Sequence, residues 1–169
     1  MKIIRVFAVL LLCWVLLRLL FPSVYIGTAP AAKAQAKNDV VQIATALMAY
    51  KTEYGRFPVA ADTPMRVEGE LLAALTGKTN ENNPRGIVFI EVQPARAGKS
   101  GIKNGVFVDP WGGSYKVVLD ADNDGQATSD PHMGSKTISK SVAVWNDTSE
   151  HPDAAKRNNS ARRQVTSWD

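Results

Sequence analysis

The chain has 169 residues, enough for one folded domain with an appended segment. Its apolar fraction is that of an ordinary folded protein, and its net charge of +4 is spread without a long block of either sign. The single cysteine, Cys13, excludes an intrachain disulfide.

The least balanced segment is the basic tail AAKRNNSARRQ. Its cations are Lys156, Arg157, Arg162 and Arg163. Because neither aromatic interleaving nor a nucleic-acid motif accompanies them, we expect a solvated end and no nucleic-acid partner.

The first residues, MKIIRVFAVLLLCWVLLRLLFP, predict a membrane anchor over residues 1–22. The apolar run of residues 3–21 is close to the roughly 20 residues that cross a bilayer. Lys2 and Arg5 predict a cytoplasmic N-terminus with the rest exported, and Arg18 is near enough to the far end to snorkel. The competing interpretation is a signal peptide cleaved at APA or AQA, but the apolar core exceeds the usual 7–15 residues. The expected location is therefore the inner (cytoplasmic) membrane, crossed once, with the folded part periplasmic or otherwise extracytoplasmic.

Residues 23–55 predict an amphipathic helical spine that continues the anchor. Its apolar stripe consists of Val40, Ile43, Leu47, Tyr50 and Tyr54, widened by Ala44 and Met48. These positions recur at three- and four-residue steps, and Gly55 followed by Pro58 is a stop signal. A helix from Ile3 to Tyr54 would be about 75–80 Å long.

Residues 56–169 predict a globular α+β head that includes the basic tail. VEGELLAALTG indicates a short helix closed by Gly77, and GIVFIEV, GVFVDP, SYKVVLD and SVAVWN indicate short strands. Strands joined by short turns favour an antiparallel sheet, which the apolar face of the long helix would cover. QPARAGKSGIKNG is typical of a connection between strands.

Together these stretches resemble the type II secretion pseudopilins, nearest to the major pseudopilin, within the type IV pilin class. The resemblance rests on Pro22 in the apolar helix, on AKAQAKNDVVQIATALMAYKTEYGRFP, on DPWGGSYKVVLD, and on VAVWND with the closing VTSW. It implies a pilin-like fold, in which a long N-terminal helix packs on a small antiparallel sheet. It also implies a non-enzymatic subunit of a type II secretion or type IV pilus-like assembly, whose partners are other pseudopilins.

The chain departs from the family pattern in two ways, and the first of them favours an alternative. Members begin with a leader ending in glycine and carry an early glutamate, whereas this chain has no leader glycine and has Arg5 at that position. Major pseudopilins also bind calcium through aspartates near the C-terminus, where this chain has Arg162, Arg163 and Gln164. The alternative is a single-pass, membrane-anchored extracytoplasmic binding protein that has a pilin-like fold but does not polymerise.

One acidic stretch, LDADNDGQATSD, is a candidate calcium site. It contains Asp120, Asp122, Asp124 and Asp130, with Gly125 at the sixth position of the pattern. Alternating aspartates and a glycine resemble the first half of a calcium loop, but the twelfth position is Pro131 rather than a bidentate carboxylate. The stretch therefore predicts either a weak calcium site formed by the four aspartates or a solvated turn after a strand.

No other motif indicates catalysis or a cofactor. AGKS lacks the earlier glycine of a phosphate-binding loop, and no serine stands in a nucleophile elbow. His132 and His151 are isolated in turn-like stretches, and Trp111 is predicted to be a packing anchor. We therefore expect a protein that is not an enzyme.

Overall fold

The computed structural model describes residues 11, 14, 28–60, 63–128, 137–151 and 163–168. These residues form an α+β structure with two helices and small antiparallel sheets, as the sequence predicts. Except for Leu11 and Trp14, the anchor predicted over residues 1–22 lies outside the described residues, as do Asp130 and His132. Within the described ranges, no helix is both long enough and apolar enough to cross a membrane.

The first helix, α1, spans Thr28–Tyr54. Its first turns are rich in alanine, the residue with the highest helix propensity. The helix ends where the sequence predicts, because Gly55 has a φ of 71° and its N–H donates to the Lys51 carbonyl at 2.8 Å. Glycine accepts this left-handed conformation without the steric cost that a Cβ would add.

One face of α1 is buried against the rest of the protein. Its core residues are Ala36, Val40, Ile43, Ala46, Leu47 and Tyr50. They recur at three- and four-residue steps, which confirms the predicted stripe at Val40, Ile43, Leu47 and Tyr50. The prediction for Met48 is wrong, since 43% of it is exposed. Met48 lies about 100° around the helix from Leu47, beyond the side that the sheet covers.

The main sheet contains three antiparallel strands, β1 (Met65–Arg66), β4 (Tyr115–Leu119) and β7 (Val142–Asn146), in the order β1-β4-β7. Strands β4 and β7 pair along their whole length, from Tyr115 opposite Asn146 to Leu119 opposite Val142. Helix α1 packs on β7. Both strands occur where the sequence predicts them.

The remaining elements are short. Helix α2 (Gly69–Leu75) confirms the predicted short helix. Strands β2 (Gly101–Lys103) and β3 (Val106–Val108) form one hairpin, and β5 (Ala127–Thr128) pairs with β6 (Thr137–Ile138). A 3₁₀ turn, Thr148–Glu150, follows β7. Strand β2 lies inside the segment predicted to be a connection.

The strand predicted at GIVFIEV is wrong. Val88 makes one isolated bridge, to Thr76, and the N–H groups of Phe89 and Ile90 both donate to the Leu75 carbonyl. The segment therefore bends around the end of α2 instead of extending along a sheet. The buried Asn83 side chain fixes this bend, because its amide donates to the Ile87 carbonyl at 2.7 Å.

The sheet has an apolar cluster on each face. On one face, Tyr115, Val117 and Val144 pack with the buried face of α1. On the other face, Val118 and Trp145 pack with β5 and β6, and the Trp168 ring meets the Trp145 ring edge-on. Alternate residues of β4 and β7 thus enter different clusters, as the pleat of a strand requires.

The burial of α1 gives a matched test at two adjacent valines. Val40 is fully buried and Val41 is 44% exposed. Val40→Ala should lower the free energy of unfolding by about 2 kcal/mol, because two methyl groups leave the core. Val41→Ala should leave it unchanged or raise it by up to about 0.5 kcal/mol, since alanine is the better helix former. Chemical unfolding of the full chain in detergent measures both changes, and equal losses would contradict this packing.

Candidate functional site

The loop after β4 brings three of the four predicted aspartates together. Asp120, Asp122 and Asp124 each offer a carboxylate oxygen, and these oxygens lie within 4.8 Å of one another. Asp120 is buried, whereas Asp122 and Asp124 are exposed. Asp130 lies outside the described residues, so its predicted place in the site stays a prediction.

Local hydrogen bonds give the loop its shape. The N–H of Gly125 donates to Asp120 Oδ2 at 3.1 Å, and that of Gln126 donates to Asp124 Oδ1 at 2.7 Å. Asn123 and Gly125 both have positive φ, at 60° and 81°. Asparagine and glycine are the residues that most readily adopt this conformation, so the sequence NDG suits the turn.

Asp120 has the most unusual environment in the loop. Its exposed fraction is 3%, and its Oδ1 is buried without a hydrogen-bond partner among the described residues. Burial alone would raise its pKa, but the Gly125 N–H, the neighbouring Asp122 and Ser141 side chains and the charge of Lys51 bring the pKa below its usual value. Asp120 is therefore held ionised, with one oxygen unsatisfied.

Lys51 connects the loop to the end of α1. Its Nζ donates to Asn123 Oδ1 at 2.7 Å and lies 4.5 Å from the centre of the Phe57 ring. A cavity of about 340 Å³ opens between this lysine, residues 55–60 and the loop. The aspartates thus have a cation of the protein itself as a neighbour.

This arrangement suits a hard cation better than proton transfer. Calcium takes six to eight oxygen ligands, and the three carboxylates could supply part of that shell. Among the residues that line the cavity, Lys51 and Asp120 could in principle transfer a proton, but Lys51 Nζ donates to the Asn123 amide oxygen. The alternative is a solvated turn in which Lys51 and the loop N–H groups offset the repulsion between aspartates.

A second polar cluster, centred on Asp109, was missed by the sequence analysis. Asp109 Oδ1 accepts from the N–H groups of Trp111 and Gly113, each at 2.9 Å. Its Oδ2 accepts from Asn146 Nδ2 at 2.8 Å and lies 3.0 Å from His151 Nε2. All the bonds join groups inside the fold, so the cluster fixes the DPWGG turn against the end of β7.

The sequence context of His151 suggested an isolated residue, but its side chain contacts Asp109. It is fully buried, and it lies against Gly113, where a Cβ would come within 2.5 Å of the imidazole Cδ2 and 2.6 Å of the Asp147 carbonyl oxygen. Trp111 is half-buried and packs against the core, which confirms its predicted role. The available signal was DPWGG, a turn with an aspartate followed by two glycines. It does not identify the histidine, which is 42 residues away.

A third polar contact joins α1 to β4. The buried Tyr115 hydroxyl donates to Asp39 Oδ2 at 2.7 Å. Burial raises the pKa of Asp39 and raises the pKa of Tyr115 well above its usual value. Next to it along α1, Gln35 Nε2 donates to Ser100 Oγ at 2.7 Å. These contacts fix α1 on the sheet and beside the turn before β2.

Comparison with known proteins adds no relative: no family model, no curated protein and no solved structure matches the chain. The functional argument therefore rests on the residues and on their geometry.

The environments of two buried aspartates, Asp39 and Asp147, predict opposite pH dependences of the stability that each contributes. Burial raises the pKa of Asp39 above 3.8, the usual value for an aspartate. The stability that Asp39 contributes is therefore present below pH 3.8 and is lost as the pH rises through the raised pKa. Burial works to raise the pKa of Asp147, but Lys116, with Nζ at 2.7 Å, and Ser149 hold it below 3.8. Its stability is present above 3.8 and is lost as pH falls through that lowered pKa.

Asp39→Asn should therefore raise the free energy of unfolding at neutral pH, and the gain should shrink as the pH falls through the raised pKa of Asp39 and be absent below pH 3.8. Asp147→Asn should lower it at neutral pH, and that loss should shrink in acid. Urea unfolding across the acid range measures both effects. A parallel pH dependence of the two variants would contradict these environments.

Proposed function

We propose that the chain is a non-enzymatic, membrane-anchored, pseudopilin-like subunit of a type II secretion or type IV pilus-like assembly. The observation that carries the proposal is α1, which begins at Thr28, soon after the apolar run, and continues to Tyr54 with one face buried on the sheet. A long helix leading from an apolar segment onto a small antiparallel sheet is the arrangement expected of a pilin-like subunit.

The two described residues of the apolar run support an anchor. Leu11 and Trp14 are both helical, and they expose 67% and 60% of their surface. Large apolar side chains exposed to this extent have a more favourable environment in lipid than in water.

The outer face of α1 supports assembly through the helix. Val41 and Met48 are 44% and 43% exposed, and with Ala44 they line a shallow groove of about 460 Å³ between α1 and the start of β7. Apolar side chains spaced along one side of a helix suit packing against a neighbouring helix.

The second candidate is a single-pass extracytoplasmic binding protein that does not polymerise. The observation that favours it is Arg5, a cation where the resembling family has a glutamate that takes part in docking. The cavity beside Lys51 would be its binding site. In this case α1 would serve as a stalk.

Crosslinking along α1 separates the two candidates. In a Cys13→Ser background, Met48→Cys should form bismaleimide-linked dimers or larger species with itself or with pilin-like partners in native membranes. Glu81→Cys, at another exposed position, is the control and should form few crosslinked species. Monomers alone at native abundance would contradict assembly and favour the binding protein.

For the aspartate loop we propose weak calcium binding by Asp120, Asp122 and Asp124. Its support is the unsatisfied, buried Oδ1 of Asp120 beside two further carboxylates. Sites of this weak class have dissociation constants of about 10⁻⁴ to 10⁻³ M, which millimolar calcium outside the cytoplasm would fill. A cation there would offset the repulsion between the aspartates and connect the end of β4 to the next segment.

Thermal unfolding tests the loop. Millimolar calcium should raise the melting temperature of the full chain, because binding to the folded form adds about 0.4–1.4 kcal/mol to the free energy of unfolding when calcium is at one to ten times Kd. Magnesium should not, because it demands octahedral geometry and gives up water reluctantly. Asp122→Ala should abolish the shift and the exposed control Glu91→Gln should keep it. Lys51→Met should enlarge the shift, since a neighbouring cation repels calcium.

A melting curve that calcium leaves unchanged in both the native chain and Lys51→Met would show that the loop is a solvated turn. That result would not affect the proposed membrane anchor or assembly, because neither depends on the loop.

A further inference from the structure

Four exposed cations lie at one end of the described structure, which we call the basic end: Lys33, Arg96, Lys99 and Lys103. Lys33 is in the second turn of α1, and the others surround β2. The bond from Gln35 to Ser100 places the two groups side by side. The turn before β2 is tight, since the Lys99 N–H donates to the Arg96 carbonyl at 3.0 Å.

The segments that form the basic end contain no acidic residue. Residues 28–38 and 92–108 include no aspartate or glutamate. The carboxylates that follow them, Asp39 and Asp109, are 7% and 1% exposed and accept hydrogen bonds from Tyr115 and Asn146. Glu91, just before the second segment, is exposed. Glu68 also adjoins the basic end, because it bridges to Val106, the strand partner of Lys103. Four exposed cations against these two neighbouring carboxylates leave the basic end with net positive charge.

The acidic loop lies towards the opposite end of α1. Gln35 contacts the basic end and Lys51 contacts the loop at Asn123. Sixteen residues separate these two positions on the helix, which corresponds to about 24 Å along its axis. The structure thus has a positive end where α1 begins and a negative loop near where it finishes.

The basic end is also the end near the apolar run. Seven chain steps separate Phe21 from Thr28, and even a fully extended chain spans only about 25 Å over that distance. The aspartate loop is farther along α1. With the anchor of the proposed function in a bilayer, the positive end is the nearer of the two to the bilayer surface.

We propose that the basic end docks on the anionic lipid headgroups of the bilayer that holds residues 3–21, an inference that rests on the proposed anchor. Each cation near such a surface changes the ratio of docked to free protein about fivefold. The contact would turn the outer face of α1 and the aspartate loop in a fixed direction relative to the membrane.

Energy transfer in reconstituted vesicles tests the docking. The full chain with Cys13→Ser and Ala97→Cys carries a donor dye at the exposed turn of the basic end. An acceptor dye is attached to lipid headgroups, in vesicles of phosphatidylcholine alone or mixed with phosphatidylglycerol. Transfer should be higher with phosphatidylglycerol, and molar salt should remove the difference, because the screening length falls to about 3 Å.

A charge-matched pair of variants identifies the surface. Lys99→Glu with Lys103→Glu should reduce transfer in the anionic vesicles to the level seen in neutral ones. Lys78→Glu with Lys140→Glu changes the net charge equally at exposed lysines outside the basic end, and it should leave transfer unchanged. Equal transfer in the two kinds of vesicle, or an equal loss in both variants, would overturn the proposal.

Two further results separate this inference from the proposals on which it depends. Loss of the chain from carbonate-washed membranes would overturn the anchor, and the docking with it. If the chain stays in the washed membranes but its energy transfer does not depend on lipid charge, the docking alone would be overturned. The native chain could instead retard duplex DNA in a gel. If Lys99→Glu with Lys103→Glu removes that retardation while energy transfer to the lipid stays unchanged, the surface would be assigned to nucleic acid.

Discussion

The packing of α1 on β4 and β7 is the constraint on which the other features depend. Val40, Ile43 and Leu47 are fully buried against this sheet. Once the helix is fixed there, its beginning lies beside the turn before β2 and its last turns lie beside the loop after β4. The same contact therefore creates both the basic end and the lysine-bearing side of the aspartate loop.

Two buried carboxylates are paired inside the fold and make its geometry specific. The Asp39–Tyr115 bond fixes how α1 sits on β4, and Asp109 fixes the DPWGG turn against β7. A buried carboxylate without such partners costs several kcal/mol or becomes protonated, so the partners set which arrangement is stable. Asp120 differs, because one of its oxygens has no partner in the described part of the chain.

The proposed function and the charge distribution are consistent with each other. An anchored subunit needs one end near the bilayer and one helix face open to neighbours. The basic end and the exposed Val41 and Met48 meet these needs on different parts of α1. The aspartate loop remains accessible near the last turns of the helix, where a calcium ion could stabilise it without interfering with either surface.

Sequence alone determined the features that depend on local order: the end of α1 at Gly55, most of its buried stripe, and strands β4 and β7. Each follows from periodicity or from turn residues within a few positions. Tertiary structure decided what joins distant positions, such as His151 with Asp109 and Lys51 with Asn123, 42 and 72 residues apart. It also bent GIVFIEV around α2. No local pattern encodes such pairs, because they are selected by the total packing energy of the fold rather than by neighbouring residues.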